Sequence, residues 1–217
     1  MSLPWPVSVA EARAVQERLR HEVVRSGDPG PIRTIAGIDA HVAPEAGLTW
    51  AAVAVVAMPE LEPVETALAA VPTGFPYVPG YLSFREIPAA LAALALLRRP
   101  PDILMVDGHG IAHPRGVGIA AHLGVAAGLP SIGVAKSRLV GRFAEPGPGK
   151  GEHSPLFIGD EVVGTVLRSR ERARPLFVST GHRISLDRAV ALVLACLTRY
   201  RLPEPTRLAD RVSRMHP

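Results

Sequence analysis

Apolar residues recur at Ala12, Val15, Leu19 and Val23 behind Ser8-Val9-Ala10-Glu11, which has the spacing of a capping box. Residues 8–25 are therefore predicted as an amphipathic helix, ended by the Gly/Pro-rich residues 25–31. The pattern then becomes strand-like over residues 34–42, 48–58 and 63–71, in runs too closely spaced to leave room for crossover helices. An antiparallel meander follows from that spacing. Residues 73–82 hold four Pro or Gly in ten and read as an irregular loop. A helix is expected next over residues 87–99, with Pro88 at its first position.

The second half changes period. Residues 103–107 form a short apolar run, 116–128 a helical stretch and 130–136 another apolar run, together a βαβ unit with parallel strands. Residues 141–155 read as a Gly/Pro-rich surface loop, 156–167 as a hairpin turning at Gly159-Asp160, and 175–179 as a strand. A last helix is expected from Ser185 to about Tyr200, and the tail 202–217 reads as too polar and Pro-rich to add much core. No internal repeat or linker interrupts the chain, so residues 1–217 are expected to form a single α/β domain.

Composition narrows the class. With 47% hydrophobic and 20% charged residues in 217, the chain is neither disordered nor fibrous. A chain of this length buries roughly 70% of its unfolded surface without disulfides. The one cysteine, Cys196, lies in an apolar run and reads as packed and inert. The net charge of +4 suits a nucleic-acid partner without requiring one. No basic-then-apolar leader and no apolar run of membrane-spanning length are present, so a cytoplasmic protein with no membrane partner is expected. Only two of the 24 basic residues, Lys136 and Lys150, are lysines, which draws attention to what each ammonium does.

The candidate chemistry sits at the ends of apolar runs. Asp39 follows Gly37-Ile38, and Asp107 follows Leu104-Met105-Val106. A carboxylate there must be solvated, paired or bound to a cation, and two brought together call for a hard cation such as Mg²⁺. Each aspartate could instead cap a loop. Glu86 has two readings: the capping partner of Ser83, or, with Pro88 opening the helix, a free carboxylate in front of it. Lys136 ends the strand beside Asp107's, where an ammonium could stabilise phosphate charge or form a structural salt bridge. Pro76-Tyr77-Val78-Pro79 fixes an aromatic on a stiff loop, as a wedge against a base or as a packed ring. His113 and His182, beside Gly or Pro turns, could contact phosphate or move protons. Zinc is disfavoured because Gly108, Gly110 and Pro114 break up the His109/His113 spacing, and no Gly-x-Ser-x-Gly elbow points to serine hydrolysis.

Taken together, Gly37-Ile38-Asp39, Pro76-Tyr77-Val78-Pro79-Gly80 with Ser83-Phe84-Arg85-Glu86, the run from Asp107-Gly108-His109 to His113-Pro114-Arg115, and Gly133-Val134-Ala135-Lys136-Ser137 resemble the endonuclease V (deoxyinosine 3′ endonuclease) family in order and spacing. Gly181-His182-Arg183-Ile184-Ser185 and Pro203 to Arg207 extend the likeness over nearly the whole chain. The resemblance implies a ribonuclease H-like fold, a mixed sheet begun by a three-strand meander and flanked by helices. It implies Mg²⁺-dependent cleavage, with Mn²⁺ a possible substitute, at the second phosphodiester bond 3′ to deoxyinosine, leaving a 3′-hydroxyl and a 5′-phosphate. Asp39, Glu86 and Asp107 would hold the metal, and Lys136 would assist the attack. Pro76, Tyr77, Val78 and Pro79 would form a strand-separating wedge, Gly80, Gly108 and His113 would line the lesion pocket or phosphate path, and His182 would support the site. His109 departs from the family, standing where many members carry glutamine. The implied partner is deoxyinosine-containing DNA, with single-stranded DNA or RNA as further substrates, and the implied state a monomer. A ribonuclease acting on inosine in RNA, or a non-catalytic binding protein of the same fold, are the alternatives.

Overall fold

A computed structural model of the chain describes residues 5–215. Helix α1 (Val9–Glu22) leads into β1 (Thr34–Ala43), β2 (Leu48–Ala57) and β3 (Glu62–Pro72), followed by α2 (Leu82–Ala95), β4 (Ile103–Val106), α3 (Ile119–Ala127) and β5 (Ser131–Ala135). The hairpin β6 (His153–Ile158) and β7 (Glu161–Leu167), then β8 (Leu176–His182), α4 (Leu186–Ala195) and α5 (Glu204–Ser213), complete the order. All the strands join one sheet in the order β3-β2-β1-β4-β5-β8-β7-β6. Its centre, β1-β4-β5, is parallel, and the remaining pairings are antiparallel. The expected meander and βαβ unit are both present.

Alternation across the pleat divides the core in two. Ala36, Ile38, Leu104 and Val106 pack with Ile87 and Ala90 of α2 and Leu123 of α3. Ile35, Ile103 and Met105 point to the opposite face, where Ala189 and Val193 of α4 and Leu208 of α5 cover them. Ser8 caps α1, accepting a hydrogen bond from Glu11 N at 3.2 Å, and Ser185 caps α4 in the same way through Arg188 N at 3.3 Å. Cys196 is fully buried, as expected.

Three expectations need correction. Helix α2 begins at Leu82 rather than after Ile87, so Glu86 and Pro88 both lie inside it. An internal proline leaves the carbonyl four residues back without its helical donor. Here Trp5 Nε1–H donates to Phe84 O at 2.7 Å and fills the gap. Ser83 is not a cap either, its hydroxyl meeting His122 Nδ1 at 3.1 Å. Second, two element ends move: β6 already begins at His153, inside the expected loop, and α4 ends at Ala195 rather than near Tyr200. Third, the tail forms α5, whose small residues Pro205, Thr206, Ala209 and Ser213 are buried against the sheet. A helix that docks through small side chains carries little hydrophobic signal, so a reading based on apolar content passes over it. Gly37 makes the approach possible: a Cβ there would lie 1.9 Å from Pro205 O.

Candidate active site

The parallel register places the first carboxylates. Ile38 of β1 pairs with Val106 of β4, so Asp39 and Asp107 stand one step beyond the same point on neighbouring strands, and Asp107 N donates to Ile38 O at 2.9 Å. Lys136 follows β5 at the same edge, its Nζ 2.5 Å from Asp107 Oδ2. Helix α5 contributes a third aspartate, Asp210, whose Oδ1 lies 3.2 Å from Lys136 Nζ and 3.0 Å from Arg214. Carboxylate oxygens of Asp39, Asp107 and Asp210 all fall within 4.8 Å of one another. Ser213, one turn further along α5, donates to Asp39 Oδ2 at 2.6 Å.

Asp210 and Ser213 are absent from the sequence prediction because the tail was assigned no structure. The usable signal was the stripe of small residues at Thr206, Ala209 and Ser213, spaced three and four apart as on one helix face.

Glu86 reaches the same edge from α2. Burial pushes its carboxyl up to about 8, and the charges of Asp39 and then Asp107 add to the rise, against a smaller opposing effect of Arg85. Burial also raises Asp107, only partly offset by the Lys136 ammonium. Four carboxyl groups thus gather at one sheet edge beside the partly exposed Lys136 ammonium. Burial first, then neighbouring negative charge, raises the proton affinity of Glu86 and Asp107, whereas at Asp210 burial is outweighed by Arg214 and Lys136, which hold it below the ordinary carboxylate range. Hard oxygen donors at this separation, with no imidazole or thiolate among them, fit a divalent cation of the Mg²⁺ or Mn²⁺ type and do not fit zinc.

A cleft of about 300 Å³ opens beside this cluster. Tyr77 to Gly80 form one wall, Gly108, His109 and His113 the floor, Val117 to Ile119 at the start of α3 another side, and Ser137 to Leu139 the far lip. Gly108 follows Asp107 and Ser137 follows Lys136, so cleft and charge cluster share the same two strand ends. Tyr77 is 68% exposed at the rim, which excludes the reading in which its ring packs beneath the loop. Phe75 and Tyr81 on either side are buried with Phe84. His109 Nε2–H donates to Ser137 O at 3.0 Å, tying floor to lip.

The two histidines behave differently from the sequence reading. Both ring nitrogens of His113 are engaged: Nε2–H donates to Gly80 O at 3.0 Å and Nδ1 accepts from Arg115 N at 3.2 Å. Burial first, then the Arg115 charge, lowers its pKa to about 4, so the ring is neutral and neither free for phosphate nor suited to moving protons near neutrality. His182 is not at the site. It pairs with Ser131 at the opposite end of β5 from Lys136, is buried, and its Nδ1 accepts from Val24 N at 3.2 Å.

Carboxylates gathered where parallel strands end, on a sheet begun by an antiparallel meander, define a nuclease of the ribonuclease H-like class. A family model described as Endonuclease V matches residues 17–211. Endonuclease V of Roseiflexus castenholzii is 55% identical over 210 residues, 97% of this chain and 94% of that protein. The crystal structure of Endonuclease V from Streptomyces avermitilis superposes with a TM-score of 0.92 at 44% identity, covering 99% of this chain and 95% of that one. Ciona intestinalis Endonuclease V, solved in complex with a 24mer DNA containing an inosine followed by a ribo-adenosine, gives 0.84 at 30% identity, covering 95% and 96%. The chain belongs to the endonuclease V family, and its activity is that of a nuclease.

Proposed function

We propose that the protein is a DNA-repair endonuclease that recognises deoxyinosine and hydrolyses the second phosphodiester bond on its 3′ side, leaving a 3′-hydroxyl and a 5′-phosphate. The observation that carries the reading is the adjacency of a base-sized cleft, with an exposed aromatic at its rim, to a cluster of carboxylates that shares its strand ends. Tyr77, held by Pro76, Val78 and Pro79, would enter the helix and separate the strands, while the displaced base would occupy the cleft against Gly80, Gly108 and His113.

Asp39, Asp107 and Asp210, with Glu86 beside them, would hold the divalent cation. Bound there, Mg²⁺ or Mn²⁺ would polarise the scissile phosphate and lower the pKa of an attacking water. Lys136, already placed by Asp107 and Asp210, would bring its ammonium to the phosphate oxygens as charge develops. Ser213 would fix the orientation of the Asp39 carboxylate through its 2.6 Å hydrogen bond.

The test is cleavage of an end-labelled duplex carrying one deoxyinosine, with Mg²⁺ and with EDTA, and the product mapped to the nucleotide. Metal-dependent nicking one nucleotide beyond the lesion is expected. Cleavage of a matched inosine RNA in place of the DNA would reassign the substrate, and binding without cleavage of either would remove the enzymatic reading.

A further inference from the structure

The cleft wall that carries Tyr77 is fastened at one atom. Gly80 O accepts from His113 Nε2 at 3.0 Å, from Arg115 Nη2 at 2.7 Å and from Gln16 Nε2 at 2.9 Å. The donors come from different parts of the chain: Gln16 from the middle of α1, the other two from the segment after Asp107. They also bind each other, since Arg115 Nε donates to Gln16 Oε1 at 2.5 Å and Arg115 N to His113 Nδ1. The ring of hydrogen bonds closes, which settles the amide orientation of Gln16 and the tautomer of His113.

Two further features show that the carbonyl is presented deliberately. Gly80 has φ +81, a left-handed conformation that turns the chain after Pro79 and that other residues adopt at a cost. A Cβ on Gly80 would lie 2.9 Å from Arg115 Nη2, inside the clamp. Gln16 is fully buried. A core position filled by an amide costs stability unless both of its groups are satisfied, and if α1 needed only packing an apolar side chain would serve. Here both groups are spent on the clamp.

We propose that Gln16, with Arg115 and His113, is a positioning residue for strand separation: α1 holds the Tyr77 loop in its inserting geometry through the carbonyl of Gly80. This rests on the function proposed above. Tyr77 lies three residues from the fastened carbonyl, with buried Phe75 on its other side, so the exposed ring projects from two fixed points. A loop already ordered before binding spends less of its contact energy on becoming ordered when it enters the duplex. That energy matters only where bases must be unpaired, so the clamp serves duplex substrate and not a strand that is already single.

The test compares wild type with Gln16→Met, which removes both amide groups at similar volume, on duplex and single-stranded oligonucleotides carrying one deoxyinosine. The duplex kcat/KM is expected to fall about tenfold, the size of one lost charge-linked hydrogen bond, and the single-strand value less than about twofold. Equal loss on both substrates would mean a merely structural residue, and no loss on either would mean that the clamp is idle; both outcomes overturn the proposal while leaving the proposed function standing. A wild type that cuts neither substrate would overturn that function and this inference with it. If Gln16→Met does not fold, Arg115→Gln, at a partly exposed position, is expected to show the same selective loss, and its absence is equally decisive.

Discussion

Gly37→Ala adds one methyl group where α5 crosses β1, and the structure sets the size of the effect. The new Cβ would lie 1.9 Å from Pro205 O, 2.1 Å from Pro205 C and 2.7 Å from Thr206 N, all backbone atoms that no rotamer change can move away. Reaching an ordinary contact of 3.4 Å from 1.9 Å requires α5 to lift by about 1.5 Å. Overpacking of this kind costs about 1–3 kcal/mol. The Ser213 to Asp39 hydrogen bond, 2.6 Å long, would not survive the displacement and adds about 1.5 kcal/mol. Alanine recovers about 0.5–1 kcal/mol of backbone entropy relative to glycine, leaving a net loss of about 3 kcal/mol. Because Asp210 travels with α5, nicking of deoxyinosine duplex in Mg²⁺ should also slow by at least about 100-fold. Urea denaturation and single-turnover nicking measure the two effects on one preparation. A Gly37→Ala protein with wild-type midpoint and rate would show that α5 does not dock on β1 at this distance and that Asp210 is not held by that docking.

Trp5→Phe should cost about 1 kcal/mol in urea denaturation by leaving Phe84 O without a donor, and the cost should shrink toward zero in a Pro88→Ala background, where the helix supplies its own N–H. An undiminished cost in the double variant would mean that the indole acts by packing on His122 and Phe84 alone. Asp107→Asn should lower nicking by at least about 1,000-fold while leaving Ca²⁺-supported duplex binding within a few-fold, as read by single-turnover kinetics and fluorescence anisotropy. Parallel loss of binding would make Asp107 a structural residue.

How much of this was legible in the sequence follows from the kind of signal each element carries. The meander and the βαβ unit are written in apolar runs of strand and helix length, and the structure has both. The convergence of Asp39, Asp107 and Lys136 was also legible, because parallel neighbours bring the residues at their ends to one edge. Asp210 was not, since α5 docks through Pro205, Thr206, Ala209 and Ser213, which bury little apolar surface and look like a polar tail in one dimension. The start of α2 was misjudged for a different reason. Pro88 reads as a helix start by local rules, and the donor that lets it sit further in belongs to Trp5, 79 residues from Phe84. His182 misled because its Gly-His-Arg setting looks like a reactive loop, whereas the register of β8 against β5 carries it to the far end of the sheet. Gln16 gave no signal at all: its role depends on a carbonyl 64 residues away.

The charge cluster implies a conflict between stability and function that one substitution can expose. Glu86 has its carboxyl raised from 4.5 to about 8 by burial and by Asp39 and Asp107, so in the metal-free protein its ionised form is disfavoured relative to the unfolded chain. A raised folded-state pKa contributes stability that is complete below the unfolded value and is lost as pH rises through the folded one. Wild-type stability in EDTA should therefore fall between pH 4.5 and about 8, and Glu86→Gln, which cannot ionise, should not share that part of the fall. A shift of this size corresponds to at most about 5 kcal/mol, and with water and side-chain relaxation the gain for Glu86→Gln at pH 9 is on the order of 2 kcal/mol, or about 4–8 °C in Tm. Mg²⁺ should narrow or reverse the difference, because a cation that binds only the folded state stabilises the wild type by more. Calorimetric scans of both proteins at pH 5 and pH 9, in EDTA and in Mg²⁺, separate the contributions. Equal stabilities of the two proteins at pH 9 in EDTA would refute the argument, since Glu86 would then be ionised at no cost and the carboxylates would not be crowded enough to need a cation.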